Sequence, residues 1–173
     1  MKILTSRVIW FLLLGIFLTS ISVDFVQGQT KKEIVKIRAD VAAINKGVSK
    51  YTKTKKDVEG ISLEGTEATY YHSAGKLRKI TATMFGETYN AAGEFYYKNG
   101  ELIFAYLKHN KYDTQIGLGT PPKVVRTTEQ RFYFADDKLL QLLIGKKELK
   151  SGDERYTELK DEIVKISDVL KDS

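Results

Sequence analysis

Side chains able to do acid–base chemistry are few in this sequence and lie far apart. Three glutamates, Glu87, Glu94 and Glu129, fall on or near predicted strands. Two carboxyl groups about 5 to 10 Å apart can hydrolyse a glycosidic bond, one as acid and the other as base or nucleophile. Sequence spacing does not give that separation, and a glutamate on a strand edge commonly just faces solvent. These acids therefore support only an alternative hypothesis, a hydrolase that acts on polymers.

Other catalytic groups form no recognisable set. His72 and His109 lie on different predicted hairpins, and neither stands at a recognisable spacing from a serine and an aspartate. The sequence contains no HExxH, GxSxG, SxxK or nucleotide P-loop motif, and it has no cysteine to serve as nucleophile or metal ligand. We therefore predict no catalytic residue, no metal site and no cofactor, and we favour a binding protein over an enzyme.

Tyrosines and one loop are the better candidates for a binding site, because tyrosine offers rigid contact area with a polar tip. Residues 112–123 (YDTQIGLGTPPK) form the longest irregular stretch, and its two large aliphatic residues fit no regular core pattern. Loops on rigid scaffolds commonly bind partners. The predicted contact surface consists of Tyr112, Ile116, Leu118, Tyr96 and Tyr133. The alternative is structural: the loop would plug the end of the core, and the strand tyrosines would be buried.

The first 28 residues have the pattern of a signal peptide. Lys2 and Arg7 precede an unbroken apolar run of 11 residues, Val8–Leu18, and small residues follow near Gly28. We predict cleavage at Gly28–Gln29 and an exported protein, either periplasmic or secreted. A retained membrane anchor is the alternative, but a bilayer span needs about 20 apolar residues. No membrane span is expected after cleavage.

Composition predicts one compact domain from Gln29 to Ser173. Residues 31–60 contain nine Lys/Arg against four Asp/Glu, whereas residues 61–173 contain seventeen of each. A nucleic-acid-binding protein would more often have a basic stripe through its main domain, so no nucleic-acid partner is expected. The basic segment is either a solvated helix face or a site of attraction to anionic envelope lipid or polymer. The expected partner is an envelope protein or polymer, and the oligomeric state is not predicted.

Two amphipathic helices are expected to flank this domain. Near the N-terminus, apolar residues recur every three or four positions from Lys31 to about Lys50, the period of a helix stripe; they are Ile34, Ile37, Val41, Ile44 and Val48. Near the C-terminus, Ser151 and Glu154 have the spacing of a capping box. The same apolar spacing follows at Tyr156, Leu159, Ile163, Ile166 and Leu170.

Between the helices, three segments repeat paired aromatic residues, a short polar turn and a leucine. Asn99-Gly100 is the strongest turn signal, because a type I′ turn needs positive φ at both positions. Its register would pair Lys98 with Glu101, Tyr97 with Leu102 and Phe95 with Phe104. Three hairpins predict six strands, near 66–72, 76–85, 93–98, 101–108, 127–135 and 138–145. The predicted fold is α+β, an antiparallel meander of about six strands with both helices on one face.

The repeated unit Tyr-Tyr/Phe-x-Asn-Gly-x-Leu, best seen at Tyr96–Leu102, resembles the hairpins of small uncharacterised exported bacterial proteins. It is also loosely similar to the aromatic–Asn-Gly repeats of MORN-like and YwqK-type antitoxin proteins. The resemblance covers roughly residues 66–145. It implies a sheet built from hairpins and assigns no functional residue.

Overall fold

A computed structural model describes residues 8–117, 119 and 121–173, with side chains described from Gly28 onward. The start of the predicted signal peptide and Leu118 lie outside the described residues. Two compact units divide the chain, one ending at Lys36 and the other formed by Ile37–Ser173. In the first unit the backbone is helical from Val8, and Lys36 and Glu33 form an ion pair of 3.3 Å one turn apart.

The described elements follow the chain as a helix, eight strands and a second helix. They are α1 (Val8–Gly47), β1 (Thr52–Val58), β2 (Thr66–Ser73), β3 (Lys76–Gly86), β4 (Tyr89–Lys98), β5 (Glu101–Tyr112), β6 (Val124–Ala135), β7 (Lys138–Ile144), β8 (Lys147–Leu149) and α2 (Glu154–Asp172). The helix α1 passes through Gly28–Gln29 without interruption and ends at Gly47, and a 3-10 turn over Val48–Lys50 continues it to the expected Lys50.

All eight strands form one antiparallel sheet in sequence order, from β1 to β8. The prediction of an α+β fold with an antiparallel meander is confirmed, but six strands is an undercount. The strand β1 (TKTKKDV) was missed because an edge strand exposed on both faces lacks apolar alternation, and only Val58 is buried. The strand β8 was missed because it has only three residues.

The Asn99-Gly100 hairpin forms as predicted, with φ of 55° and 90° at the two turn residues. Two of the predicted pairs, Lys98 with Glu101 and Tyr97 with Leu102, are present. The third is wrong: Phe95 pairs with Ala105, because a β-bulge next to Tyr97 shifts the register by one residue. Ala74-Gly75 and Asp136-Asp137 also form two-residue turns with positive φ at both positions.

The helix α2 packs on one face of the sheet, which we call the α2 face. Its stripe residues Ile163 and Leu170 are almost fully buried against a core that includes Phe95, Phe132 and Leu142. Ser167, within the same stripe, contacts the Tyr97 hydroxyl at 3.0 Å. The helix is capped by the Asp153 side chain, which accepts from the backbone N–H of Arg155, rather than by the predicted Ser151.

The opposite side of the sheet, the α1 face, receives the last turns of α1, Ile37–Gly47. Ile37 and Ile44 of the predicted stripe are buried, while Val41 and Val48 are half-buried. The expectation that both helices cover the same face is therefore wrong. Because each face offers apolar residues next to a helix, helical residues pack on both sides of the sheet.

Candidate functional site

Polar contacts fix the end of α1 on the α1 face. Asp40 pairs with Lys98 at 2.7 Å, and Arg38 donates to the Tyr133 hydroxyl at 3.3 Å while its guanidinium lies 5.3 Å from that ring's centroid. Below them the rings of Tyr96, Phe104 and Tyr133 form a continuous row, with neighbouring centroids 5.6 and 4.9 Å apart. This half of the face is closed.

At the border of the closed half lies a polar cluster around Lys79, which is only 8% exposed. Its ammonium group donates to Asn45 Oδ1 at 3.1 Å and to Glu94 Oε2 and the Tyr96 hydroxyl, both at 2.9 Å. The Tyr96 hydroxyl in turn lies within donating distance of Glu94 Oε2 and of Asn45 Oδ1. All three ammonium protons therefore have acceptors, which is what a buried cation requires.

The cluster keeps its two charges. Burial disfavours the Lys79 ammonium, but hydrogen bonds to Tyr96 and Glu94 outweigh it and raise the pKa of Lys79. Burial also disfavours the Glu94 carboxylate, yet hydrogen bonds from Tyr96 and Lys79 lower the pKa of Glu94. Burial and the adjacent carboxylate raise the pKa of Tyr96, so its hydroxyl stays protonated. Glu94 is thus held as an anion and not as a proton donor.

Beyond the residues that Ile37–Gly47 of α1 contact, the same side of the sheet carries residues that are exposed or half-buried. Cross-strand partners share a face, so the register defines one polar row across the sheet: Lys55, Thr69, Thr81, Glu94, Tyr106 and Arg131. A second row runs beside it: Asp57, Glu67, Thr83, Ala92, Lys108 and Glu129. A third, shorter row contains Asn90, Asn110 and Thr127. We call these three rows the open face.

Tyr106 and Arg131 stand side by side in the open face. The Arg131 guanidinium donates to Glu129 Oε2 at 2.7 Å and to the carbonyl oxygen of Gly145 at 3.0 Å, and it lies 5.3 Å from the centroid of the Tyr106 ring. Burial and the negative charge of Glu129 raise the pKa of Tyr106. The ring is therefore neutral, half-buried and held by a fixed cation, which makes it a rigid contact element.

Threonine and asparagine side chains occupy much of the rest of the open face, beside the charged residues Lys55, Asp57, Glu67 and Lys108. On β1 to β3 it is concave, with a cavity of about 400 Å³ lined by Thr69, Thr81 and Thr83 together with Lys55, Asp57 and Glu67. On β4 to β6 the Asn110 amide donates to Asn90 Oδ1 at 3.0 Å and accepts from the Thr127 hydroxyl at 2.8 Å. Such hydroxyl and amide groups can both donate and accept hydrogen bonds to a ligand.

The three glutamates singled out in the sequence do not come together as free acids. Glu94 and Glu129 both lie on the open face, but in different rows, two strands apart, and each is paired with a cation, Lys79 or Arg131. Glu87 lies in the turn between β3 and β4, where its carbonyl accepts from the backbone N–H of Ile116. None of the three lines the cavity beside Thr81.

The five predicted contact residues fall in different places. Tyr96 and Tyr133 are 1% and 5% exposed, and no partner can reach them while α1 is in place. Tyr112 and Ile116 lie at the far end of the sheet, where Ile116 is 47% exposed and Tyr112 is half-buried. Leu118 is outside the described residues. Exposed tyrosines beside the loop were expected, but the structure separates the loop residues from two buried tyrosines.

Sequence reasoning missed Lys79, Tyr106, Arg131 and the threonines of the cavity. What brings them together is the register between strands, which places these residues of β2 to β6 on one side of the sheet. The Tyr106–Arg131 pair depends on a connection of more than ten residues between β5 and β6, and no turn motif fixes the register across it. The alternation of Thr81 and Thr83 on β3 is a visible signal, since polar residues at alternate positions indicate a half-exposed strand.

Among the described residues, no group of three or more His, Asp or Glu side chains is arranged to hold a metal ion. Within that same part of the chain, no helix is both long and apolar enough to cross a membrane. No protein-family model, no curated protein and no solved structure matches the chain.

Proposed function

We propose that this chain is an exported cell-envelope protein that binds a hydroxyl-rich polymer, a glycan chain, on its open face without catalysing a reaction. Supporting this proposal is the composition of that face. It combines hydroxyl and amide side chains, a half-buried aromatic ring and, around that ring, the ion-paired Glu94, Glu129 and Arg131. Glycans offer hydroxyl groups for hydrogen bonds and flat apolar ring faces for stacking on aromatic side chains.

Tyr106 supports the choice of this face, because it lies beside Arg131 and is half-buried one row beyond the residues that Ile37–Gly47 of α1 contact. A ligand that stacks on Tyr106 can extend along the row to Thr81 and the cavity on β1 to β3. Glu94 and Glu129, the two acids beside Tyr106, are paired with Lys79 and Arg131, so an uncharged polymer stacked on the ring meets no unpaired carboxylate there.

The same pairing argues against the alternative, a hydrolase. A glycosidase acid must be protonated near neutral pH, so its pKa has to be raised. Hydrogen bonds from Tyr96 and Lys79 instead lower the pKa of Glu94 against the opposing effect of burial. Glu129 is tied to Arg131 at 2.7 Å.

Export remains part of the proposal and has its own test. It rests on the positive start, the apolar run Val8–Leu18 and the small residues near Gly28. Expression of the full gene with a C-terminal tag, followed by N-terminal sequencing of the accumulated protein, should give a chain beginning at Gln29. A product that still begins with Met1 contradicts cleavage.

Binding is tested by co-sedimentation with purified peptidoglycan sacculi and by NMR titration with soluble N-acetylglucosamine oligomers. The variants Tyr106→Ala and Thr81→Ala/Thr83→Ala should bind at least about tenfold more weakly, since each loses contacts worth roughly 1.4 kcal/mol or more. The matched control is Thr54→Ala, because Thr54 is exposed on β1 and pairs with Tyr70, whose side chain belongs to the α2-face core.

Equal binding by the Tyr106 and Thr54 variants would remove the open face as the site. If the wild-type protein releases reducing sugar ends and the Glu94→Gln or Glu129→Gln variant does not, the protein is a hydrolase and the binding proposal is wrong. Thermal unfolding of each variant has to be measured alongside, so that a loss of binding is not confused with a loss of folding.

A further inference from the structure

A second surface lies at the end of the sheet where β5 leads into β6. Three aliphatic side chains are exposed there: Ile116, Val124 and Val125 are 47%, 51% and 58% exposed. Isolated exposed aliphatic residues are ordinary on protein surfaces. Three within ten residues, all on one connection and its following strand, form a patch that needs an explanation.

The patch is held in place rather than loose. The backbone groups of Asp113 and Lys123 close the base of the loop with a hydrogen bond of 3.0 Å, and the Asp113 side chain accepts from the Lys123 N–H at 2.8 Å. The Ile116 N–H donates to the carbonyl of Glu87 at 2.8 Å, which ties the loop to the next turn. Exposure of Ile116 is therefore part of the folded structure.

Cations surround the patch. Between residues 108 and 126 the chain has four Lys/Arg and one Asp. Lys111 and Arg126 are cross-strand partners, so two positive charges stand directly opposite each other, an arrangement that by itself destabilises a sheet. Within the described part of the chain, neither they nor Lys123 form an ion pair. Burial and the charge of Arg126 also lower the pKa of the nearby His109.

We propose that this end of the sheet docks on the surface of an anionic lipid bilayer. The docking surface consists of Ile116, Val124, Val125, Lys111, Lys123 and Arg126. Aliphatic side chains that enter the headgroup region, together with cations that meet lipid phosphates, are the two contributions that hold a protein at such an interface. The open face lies next to this surface, so docking would hold the proposed polymer-binding face beside the membrane.

Another exposed aliphatic residue at the same end of the sheet provides a matched control. Leu63, in the loop between β1 and β2, is 90% exposed, but its near neighbours in sequence are Glu59 and Glu64. The backbone N–H of Glu64 donates to the carbonyl of Phe85, which places this loop two strands from β5. If exposure alone decided membrane contact, Leu63 would insert first; if cations are also required, it should stay in water.

The chain has no cysteine, so single cysteines can report on each position separately. The full chain is labelled with an environment-sensitive fluorophore at Ile116→Cys, Val125→Cys, Leu63→Cys or Lys76→Cys, the last at the opposite end of the sheet. Each form is mixed with phosphatidylglycerol-containing or pure phosphatidylcholine vesicles that contain a lipid-bound quencher. Labels at 116 and 125 should be quenched only with phosphatidylglycerol, and labels at 63 and 76 should not be quenched.

Charge reversal tests the cationic part. In the 116-labelled chain, Lys123→Glu/Arg126→Glu should weaken vesicle binding at least about tenfold, whereas Lys123→Arg/Arg126→Lys should leave it unchanged. Quenching at 116 that is equal on both lipids, or equal to quenching at 76, would overturn the proposal. So would protection of the 116 label through self-association without vesicles, because that result assigns the surface to a second copy of the chain.

Discussion

Replacing Lys79 with methionine should destabilise the domain, because it removes one charge of a pair embedded in the sheet. Methionine keeps most of the unbranched aliphatic stem, so packing changes little. The three hydrogen bonds to Asn45, Glu94 and Tyr96 disappear, and the Glu94 carboxylate loses its cation. The Tyr96 hydroxyl can still donate to Glu94 or Asn45, so it is not left without a partner.

The expected loss in the free energy of unfolding depends on the solvent exposure of the two partners. Removing one member of a fully buried ion pair costs about 3 to 5 kcal/mol. The Lys79 side chain is 10% exposed, but the Glu94 side chain is 40% exposed, so water can solvate the abandoned carboxylate. We expect a loss of about 2 kcal/mol, which for a domain of this size lowers the melting temperature by about 6 °C.

Urea unfolding followed by far-ultraviolet circular dichroism measures this difference, with Lys76→Met as the control, since Lys76 is an exposed lysine of the same strand. Because the pKa of Glu94 is lowered in the folded state, its carboxylate stabilises the fold fully above pH 4.5, the ordinary pKa. This stabilisation is lost as the pH falls through the folded-state pKa. The destabilisation by Lys79→Met should therefore shrink in acid. If Lys79→Met and Lys76→Met unfold within about 0.5 kcal/mol of each other at pH 7, the inferred role of the cluster is refuted.

Three further outcomes are expected. Changing Asp136-Asp137 to Asn-Gly should raise the free energy of unfolding by about 0.5 to 1 kcal/mol in urea titration, because both positions have positive φ; an unchanged value contradicts this. Gly86→Ala should lower it by about 1 to 2 kcal/mol, since the new Cβ would lie 2.2 Å from the ring of Tyr89; wild-type stability would show that the ring moves freely. Burial and the charge of Arg126 lower the pKa of His109, so NMR titration should give a pKa below 6.5 that rises in Arg126→Gln; an unchanged pKa in the variant leaves burial alone as the cause. Stability from this residue should be present above pH 6.5 and decline as the pH falls.

The sequence predicts those parts of the fold that depend on residues close together in the chain. The Asn99-Gly100 turn and the α2 stripe at Ile163 and Leu170 are local patterns, and both form. The bulge next to Tyr97 is not visible in the sequence, because it depends on how Ile103 fits between the strands rather than on a turn motif. One unpredicted residue was enough to change the partner of Phe95.

Prediction of the site fails for a different reason. Whether Tyr96 is buried or exposed depends on which face α1 covers, and the α1 stripe would fit an apolar surface on either face. An apolar stripe indicates that a helix packs against another surface, but it does not indicate which surface. Tyr106 lies on the same side of the sheet as Tyr96 but in the next row, so Tyr96 is buried beside Ile37–Gly47 of α1 while Tyr106 stays half-buried.

The order of strands in the sheet has a consequence for how the chain acquires its structure. Every strand hydrogen-bonds only to the strands before and after it in sequence, from β1 to β8. Each strand pairs with a strand that is near in sequence, so the entropy lost in closing loops is small until the helices dock. The contacts of long sequence separation belong to the ends of the domain, such as Arg38 with Tyr133 and Lys56 with Ser173. We therefore expect the sheet to assemble hairpin by hairpin and the two terminal helices to pack on it last. The whole domain should fold faster than β-sandwiches of similar length.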